Sequence, residues 1–250
     1  MKKKVFLPCA GFGTRMRELT NDTPKPLLLV HHVPLIYYSL FLANKWGMTE
    51  ATVNVHHLKE KFSGEFEKFS LFPIHVSEEI PEILGTAGGL RTAIERFGSL
   101  NDEYLIINPD FILLPEKDFN PWPSDEEREK FDCILYLGLL SNKDNYTGLS
   151  LSDGKVNFLQ TGKYFYLGLA WIRASILSDL EVNRSYDLAD IFRELSAKSK
   201  LGGKVFPGEF IDLGEKEPYL LHKDTDFGIQ YGPEWTAYLD ITGKTPGANS

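Results

Sequence analysis

The chain has 250 residues, 42% of them hydrophobic and 25% charged, and a formal net charge of −8. This is the composition of a globular protein that buries one large core, as one α/β domain or a domain with a small appendage. The acidic balance argues against a general nucleic-acid binder, no apolar run is long enough to span a bilayer, and Cys9 and Cys133 suggest neither a disulfide framework nor a zinc site, so the cytoplasm is the expected compartment.

The stretch VFLPCAGFGTRMRELTNDTPKPLLL, residues 5–29, reads as a phosphate site. Lys2 to Lys4 before VFLPC has the look of a lipoprotein leader, but the apolar run is too short and Pro8 precedes Cys9. Val5, Phe6 and Leu7 fit a buried strand instead. Gly11 and Gly13 follow where the chain must turn and where bare N–H groups can meet phosphate oxygens. Arg15 supplies a permanently charged fork for bidentate contacts, and Pro24 and Pro26 stiffen the loop that carries Lys25. Met16 stands where G-x-G-x-x-G needs its third glycine, and G-x-x-x-x-G-K-[ST] is absent, so neither a dinucleotide fingerprint nor a P-loop is present.

Further along, Pro34 suits the first position of a helix through LIYYSLFLANKWG, apolar on most faces and ended by Gly47. ATVNVHH reads as a strand, LKEKFSGEFEKF as a helix and FPIHVSE as a strand, and this alternation predicts a mostly parallel sheet covered on both faces. The pairs His31–His32 and His56–His57 are read as structural, since neighbours on a strand point to opposite faces and no third ligand follows at helical spacing. In EEIPEILGTAGGLRTAIERFG, Thr86 is placed to cap a helix whose start is crowded by Gly85, Gly88 and Gly89, which fits either tight packing or close approach by something flat.

EYLIINPD puts Asp110 just past the apolar run Leu105, Ile106 and Ile107, where a carboxylate in an open α/β sheet can hold a metal on a bound phosphate. Residues 115–131 read as a surface excursion in which Ser124 and Glu127 form a capping box. Four β-like runs follow, DCILYLGLL, YTGLSLS, KVNFLQ and KYFYLGLAWIR, so antiparallel hairpins extend the sheet, and Gly168 marks a bulge or a close approach in the last of them. Asp187 begins a helix with Leu188, Ile191, Phe192 and Leu195 on one face. KVFPGEFIDLGEKEPYLL then presents Asp212 in a short strand ahead of Gly214 and a new helix. The remainder from residue 223 shows no repeat or second domain, and its end, GKTPGANS, is expected to be disordered.

AGFGTRMRELTNDTPKPLL resembles, almost position for position, the signature loop of the sugar-1-phosphate nucleotidyltransferases, G-x-G-T-R followed by P-K-P. The resemblance covers most of residues 4–222, as one nucleotidyltransferase domain (1–222) with a C-terminal segment (223–250). It is greatest to the short branch that includes N-acetylmuramate-1-phosphate uridylyltransferases and mannose-1-phosphate guanylyltransferase-like proteins. It implies a Rossmann-like three-layer α/β sandwich with a mixed central sheet. It also implies Mg²⁺-dependent in-line transfer of a nucleotidyl group from an NTP to a sugar 1-phosphate, with release of pyrophosphate. Nucleotide binding falls by resemblance to Ala10, Gly11, Gly13, Thr14 and Arg15 and, through the segment E-x-L-G-T-A-G, to Glu82, Gly85, Thr86 and Gly88, with Ile83 where proline is common. Arg15 and Lys25 take the catalytic roles, and Lys25 and Gly168, the latter from an F-x-G-I strand, the sugar-phosphate contacts. Asp110 and Asp212 become the metal ligands, from motifs usually written N-G-D and W-x-D-x-G-T, where this chain has Pro109 for the glycine and Glu215 for the threonine. Those two departures sustain a rival reading as a non-catalytic nucleotide-sugar-binding regulator, and a cytidylyltransferase for phosphocholine or a similar phosphorylated alcohol is the nearer rival. Nucleobase, sugar and oligomeric state are left open.

Overall fold

The computed structural model describes residues 2–140 and 146–245. Strand β1 (Lys3–Pro8) is apolar on both faces because both are covered: Val5 and Leu7 join one core and Phe6 the other. A 3₁₀ stretch (Thr14–Thr20) and a 3₁₀ turn (Lys25–Leu27) lead to the ribbon of β2 (Leu29–Val30) and β3 (Val33–Pro34) and then to α1 (Leu35–Lys45). Pro34, expected as the first helical residue, is instead the last of the ribbon. It pairs with Leu29 in an extended conformation (ψ 139°) and caps α1 from outside.

Strands β4 (Glu50–Val55) and β5 (Ile74–Glu78) follow as the sequence predicts, but LKEKFSGEFEKF between them is not an α-helix. It makes a 3₁₀ turn at Lys59–Phe62, flanked by Leu58 and Gly64 at φ of 51° and 78°, both off the helical path. Helix α2 (Gly85–Phe97) also departs in detail. Leu84 rather than Thr86 is its capping residue, and the Glu79 carboxylate accepts the Leu84 N–H at 2.7 Å in place of a local cap.

The chain continues through β6 (Glu103–Ile107), β7 (Phe111–Pro115) and α3 (Asp125–Lys130), which carries the Ser124–Glu127 capping box. The four β-like runs are β8 (Cys133–Leu139), β9 (Leu149–Ser152), β10 (Lys155–Phe158) and β11 (Tyr164–Arg173). Asp187 caps α4 (Leu188–Ala197) by accepting the Ala189 N–H at 2.9 Å. Strands β12 (Leu201–Val205) and β13 (Gly208–Asp212) and helices α5 (Lys216–His222), α6 (Gly228–Tyr231) and α7 (Pro233–Thr242) complete the fold.

Among the described residues nine strands form one mixed sheet in the order β5-β4-β1-β6-β11-β8-β12-β10-β9. The first four are parallel, β11 runs antiparallel to both β6 and β8, and β12 returns parallel to β8. Leu90 and Ile94 of α2 and Leu188 and Phe192 of α4 cover one face, while α1 and the C-terminal helices cover the other. This is the three-layer α/β sandwich with a mixed central sheet. A separate two-stranded pairing, β7 with β13, stands beside it.

Residues after 222 extend this core. Trp235 of α7 stacks on Tyr38 of α1 with ring centroids 4.7 Å apart and meets Phe41 edge-on at 5.1 Å. Trp235→Ala is therefore expected to lower stability by about 3–5 kcal/mol, read as a fall in the urea midpoint at constant m-value. Of the tail expected to be disordered, Gly243 to Thr245 are placed, with the Lys244 ammonium donating to Glu65 at 2.5 Å, and 246–250 lie outside the described residues.

Candidate active site

Strands β4, β1 and β6 are parallel neighbours, so the loops leaving their carboxyl ends share one edge of the sheet. A cavity of about 370 Å³ opens there. Its walls include Gly11, Gly13, Thr14 and Arg15 from the loop after β1, Lys25 from the proline-flanked turn, Gly85 and Thr86 from the start of α2, and Asp110 from the turn after β6. Eight of the sequence-predicted site residues thus meet in one space. Ala10 is buried beside the loop without lining the cavity, and Glu82 is exposed outside it. Gly88 packs on the 184–186 backbone, its N–H donating to the Tyr186 carbonyl at 3.3 Å. A Cβ at Gly88 would overlap the Arg184 carbonyl oxygen, so tight packing explains that glycine.

The turn that carries Asp110 is built from several directions. Gly168, at φ 79° in a bulge of β11, accepts the Asn108 N–H at 2.8 Å, and a Cβ there would stand 2.7 Å from the Asn108 side chain. Gly168 therefore contacts Asn108 and does not line this cavity. The Phe111 N–H returns to the Asn108 carbonyl at 3.3 Å, which makes Pro109 the second residue of a β-turn, where proline is favoured. Opposite, β13 pairs with β7 so that Asp212 faces Phe111, and the Leu213 N–H donates to the Asp110 carbonyl at 2.8 Å. That pairing brings two carboxylates, remote in sequence, to one place.

Lys25 closes the constellation. Its ammonium lies 2.6 Å from Asp110 Oδ2 and 3.2 Å from the Gly214 carbonyl, with only 12% of the side chain exposed. Arg15 is 60% exposed and sits 3.6 Å from Glu215, so the residue that replaces the usual threonine holds the loop arginine. Asp212 accepts the Gly214 N–H at 2.8 Å through Oδ1 and the Tyr146 hydroxyl through Oδ2. Burial, and then Asp110, push the Cys9 thiol up, which disfavours its thiolate form.

A buried polar relay fixes the cavity floor. The Cys9 N–H donates to Asn54 Oδ1 at 2.8 Å, Asn54 Nδ2 donates to Glu79 at 2.7 Å, and the other Glu79 oxygen accepts the Leu84 N–H. Burial pushes the Glu79 carboxyl up, while those two donors pull it back. The relay ties the loop after β1 to the start of α2, and Gly89 leaves room for it, since a Cβ there would stand 2.7 Å from Asn54 Nδ2. Asn54, Glu79, Asn108 and Tyr146 were not singled out in the sequence. Asn54 alone carried a signal, a lone amide in an otherwise apolar and β-branched strand.

The donor chemistry of the two aspartates suits a hard divalent cation. Asp110 Oδ1 is buried with no hydrogen-bond partner among the described residues. Gly214 keeps space open among the neighbouring charges: a Cβ there would stand 2.8 Å from Asp212 Oδ1, 3.5 Å from Arg15 Nη2 and 3.6 Å from Asp110 Oδ2, the oxygen that faces Lys25. Among the described residues no group of three or more His, Cys, Asp or Glu converges on a metal position. The histidine pairs are engaged otherwise: His56 Nδ1 meets the Glu79 carbonyl at 2.9 Å, and His31 faces Asp226 at 3.7 Å.

The fold is that of the nucleotide-sugar pyrophosphorylases. A UDP-glucose pyrophosphorylase from Acinetobacter baumannii superposes with a TM-score of 0.77 at 18% identity, covering 96% of this chain and 98% of that one. A UDP-glucose pyrophosphorylase complexed with UDP-glucose gives 0.72 at 18% identity, covering 90% and 98%. Residues 5–147 match the profile of the nucleotidyl transferase family, and the chain belongs to that family. Among its relatives, a probable mannose-1-phosphate guanylyltransferase of Oryza sativa is 26% identical over 229 residues, 87% of this chain and 63% of the relative. The N-acetylmuramate α-1-phosphate uridylyltransferase of Neisseria meningitidis is 26% identical over 219 residues, 84% of this chain and 93% of the relative. The chain thus spans less than two thirds of the first relative and nearly all of the second. Among the described residues no helix is long and apolar enough to cross a membrane.

Proposed function

We propose that this chain joins an NTP to a sugar 1-phosphate, giving a nucleotide sugar and pyrophosphate. The observation that carries the reading is the meeting of Lys25, Asp110 and Arg15 in the walls of a glycine-lined cavity, with Asp212 behind them beside Gly214. An oxygen of the sugar 1-phosphate bonds to the α-phosphorus, the bond from that phosphorus to the bridging oxygen breaks, and pyrophosphate leaves with the electron pair. The attacking oxygen is already ionised at neutral pH, so no general base is needed. Positioning and charge neutralisation remain for the protein.

Each residue has a part in that task. Gly11, Gly13 and Thr14 present the loop to the triphosphate, Gly85 and Thr86 form the wall toward the base, and the exposed Arg15 turns from Glu215 to the departing phosphates. Lys25, held at 2.6 Å from Asp110 without substrate, is set to transfer its charge to the phosphate oxygens at the reacting centre. Asp110 and Asp212 would hold Mg²⁺, which when bound neutralises phosphate charge. Two buried free thiols support a reducing, cytoplasmic setting.

Pyrophosphate release measured for each NTP against a set of sugar 1-phosphates tests the reading. Release from at least one pair is expected, and nucleotide binding without release from any pair overturns it. The β-turn speaks against the regulatory alternative, because Pro109 sits where proline is favoured. Pro109→Gly is accordingly expected to keep turnover near wild type and to lower stability by about 0.4–1 kcal/mol, as judged by pyrophosphate release and urea unfolding. Turnover that appears only in the glycine variant would reverse that conclusion.

A further inference from the structure

The loop after β1 borders the nucleotide cavity, but its one aromatic side chain is not in the wall. Gly11, Gly13 and Thr14 line the cavity, whereas Phe12 between them does not and keeps 53% of its surface exposed. The Phe12 ring rests on two imidazoles. It meets His56 edge-on, with centroids 5.9 Å apart and 88° between the planes, and His57 at 5.5 Å and 56°. The sequence reads these histidines as strand neighbours with opposed side chains, but β4 ends at Val55, and beyond it both meet Phe12.

The loop has few other holds. Asn54 fixes the Cys9 N–H, and the Gly13 carbonyl accepts from the Met16 N–H at 2.8 Å and the Thr20 hydroxyl at 3.1 Å. Between those points the N–H groups of Ala10, Gly11 and Phe12 donate to no protein acceptor among the described residues, and a Cβ at Gly11 would meet nothing within 4 Å. Glycines on both sides of Phe12, with Gly13 at φ 65°, leave the segment many conformations. Such a loop serves a phosphate only if its N–H groups are aimed before the ligand arrives.

A single exposed apolar side chain is ordinary on a protein surface. Phe12 differs in having glycines on both sides and two ring partners that are themselves braced. His56 Nδ1 lies 2.9 Å from the Glu79 carbonyl, and His57 Nε2 lies 3.4 Å from the carbonyl of Thr20, the residue whose hydroxyl donates to Gly13. The ring contact therefore supplies a hold where backbone hydrogen bonds do not.

We propose that Phe12 is a positioning residue for the triphosphate: its ring, seated on His56 and His57, keeps the N–H groups of the loop in the orientation that meets phosphate oxygens. The proposal rests on the reading of the chain as a nucleotidyltransferase and adds the element that orders its phosphate loop. Because the ring does not line the cavity, it serves every NTP alike.

Four variants test it: Phe12→Ala, Phe12→Tyr, His57→Ala and the double change Phe12→Ala with His57→Ala. Phe12→Ala is expected to raise KM for the NTP by roughly tenfold, by the same factor for each NTP used, and to leave KM for the sugar 1-phosphate constant. Phe12→Tyr keeps the ring and should restore the wild-type value. The double variant should lose less than the sum of the two single losses, since the residues share one contact. An unchanged KM in Phe12→Ala, a factor that differs between NTPs, or additive losses would each overturn the proposal. A second measurement needs no turnover. In the ligand-free protein the Met16 amide, bonded to the Gly13 carbonyl, is expected to exchange its hydrogen about tenfold faster in Phe12→Ala and at the wild-type rate in Phe12→Tyr. If no pair of NTP and sugar 1-phosphate releases pyrophosphate, the functional reading has failed, and this exchange still decides whether Phe12 holds the loop: faster exchange supports the hold and an unaltered rate rejects it.

Discussion

Asp110→Asn and Asp212→Asn are each expected to lower kcat/KM by roughly a hundredfold to a thousandfold, and the Mg²⁺ or Mn²⁺ concentration for half-maximal rate should rise in both. The two carboxylates are unlike in their surroundings. Asp110 presents a buried oxygen with no hydrogen-bond partner among the described residues and is balanced by Lys25, whereas Asp212 is oriented by the Gly214 N–H and the Tyr146 hydroxyl. Asparagine keeps size and most hydrogen bonds, so a loss would report charge rather than shape. Removing the Asp110 charge also strands a Lys25 that is only 12% exposed, so the Asp110 variant should melt lower than the Asp212 variant. Full activity in EDTA, or wild-type rates in either variant, would remove both residues from a metal role.

Lys25→Met should lower kcat by roughly a hundredfold with a smaller change in KM for the NTP, the pattern of a group that acts on transition-state charge. The reason is preorganisation. Two prolines and a 3₁₀ turn fix the Lys25 backbone, and Asp110 and the Gly214 carbonyl fix its ammonium, so little reorganisation is left for the moment of reaction. Arg15 is a contrast. Exposed and paired with Glu215 at 3.6 Å, it must be recruited by the nucleotide, so Arg15→Ala should fall more heavily on KM. Steady-state kinetics on the two variants separates the roles, and a Lys25→Met enzyme with unchanged kcat and weaker NTP binding would make Lys25 a binding residue only.

Local signals had physical counterparts wherever backbone chemistry decides alone. The continuous apolar run of β1, the capping box of α3, the Asp187 cap of α4 and the bulge at Gly168 all follow from what those residues permit. LKEKFSGEFEKF went otherwise, because its pattern suits a helix while Gly64 and the left-handed Leu58 do not.

By itself, then, the sequence determined the alternation of strands and helices, the glycine and proline pattern of the phosphate loop, and the candidacy of Arg15, Lys25, Asp110 and Asp212. The alternation and the loop pattern are consequences of composition and spacing within short segments, where each residue's conformational limits act on its neighbours, whereas the candidacy of Asp212 and the catalytic roles came from the resemblance to the sugar-1-phosphate nucleotidyltransferases. Only the tertiary structure decided which charges meet. Asp212 reaches Asp110 because β13 pairs with β7, Lys25 neutralises Asp110 because a remote turn is folded against it, and Glu79 braces Leu84 while holding Asn54 under the phosphate loop. A second cavity beside the first is likewise assembled from β8, β9, β10, β11 and α4, elements far apart in the chain. Contacts between segments far apart in the chain depend on register and crossover, and neither is written in any local pattern.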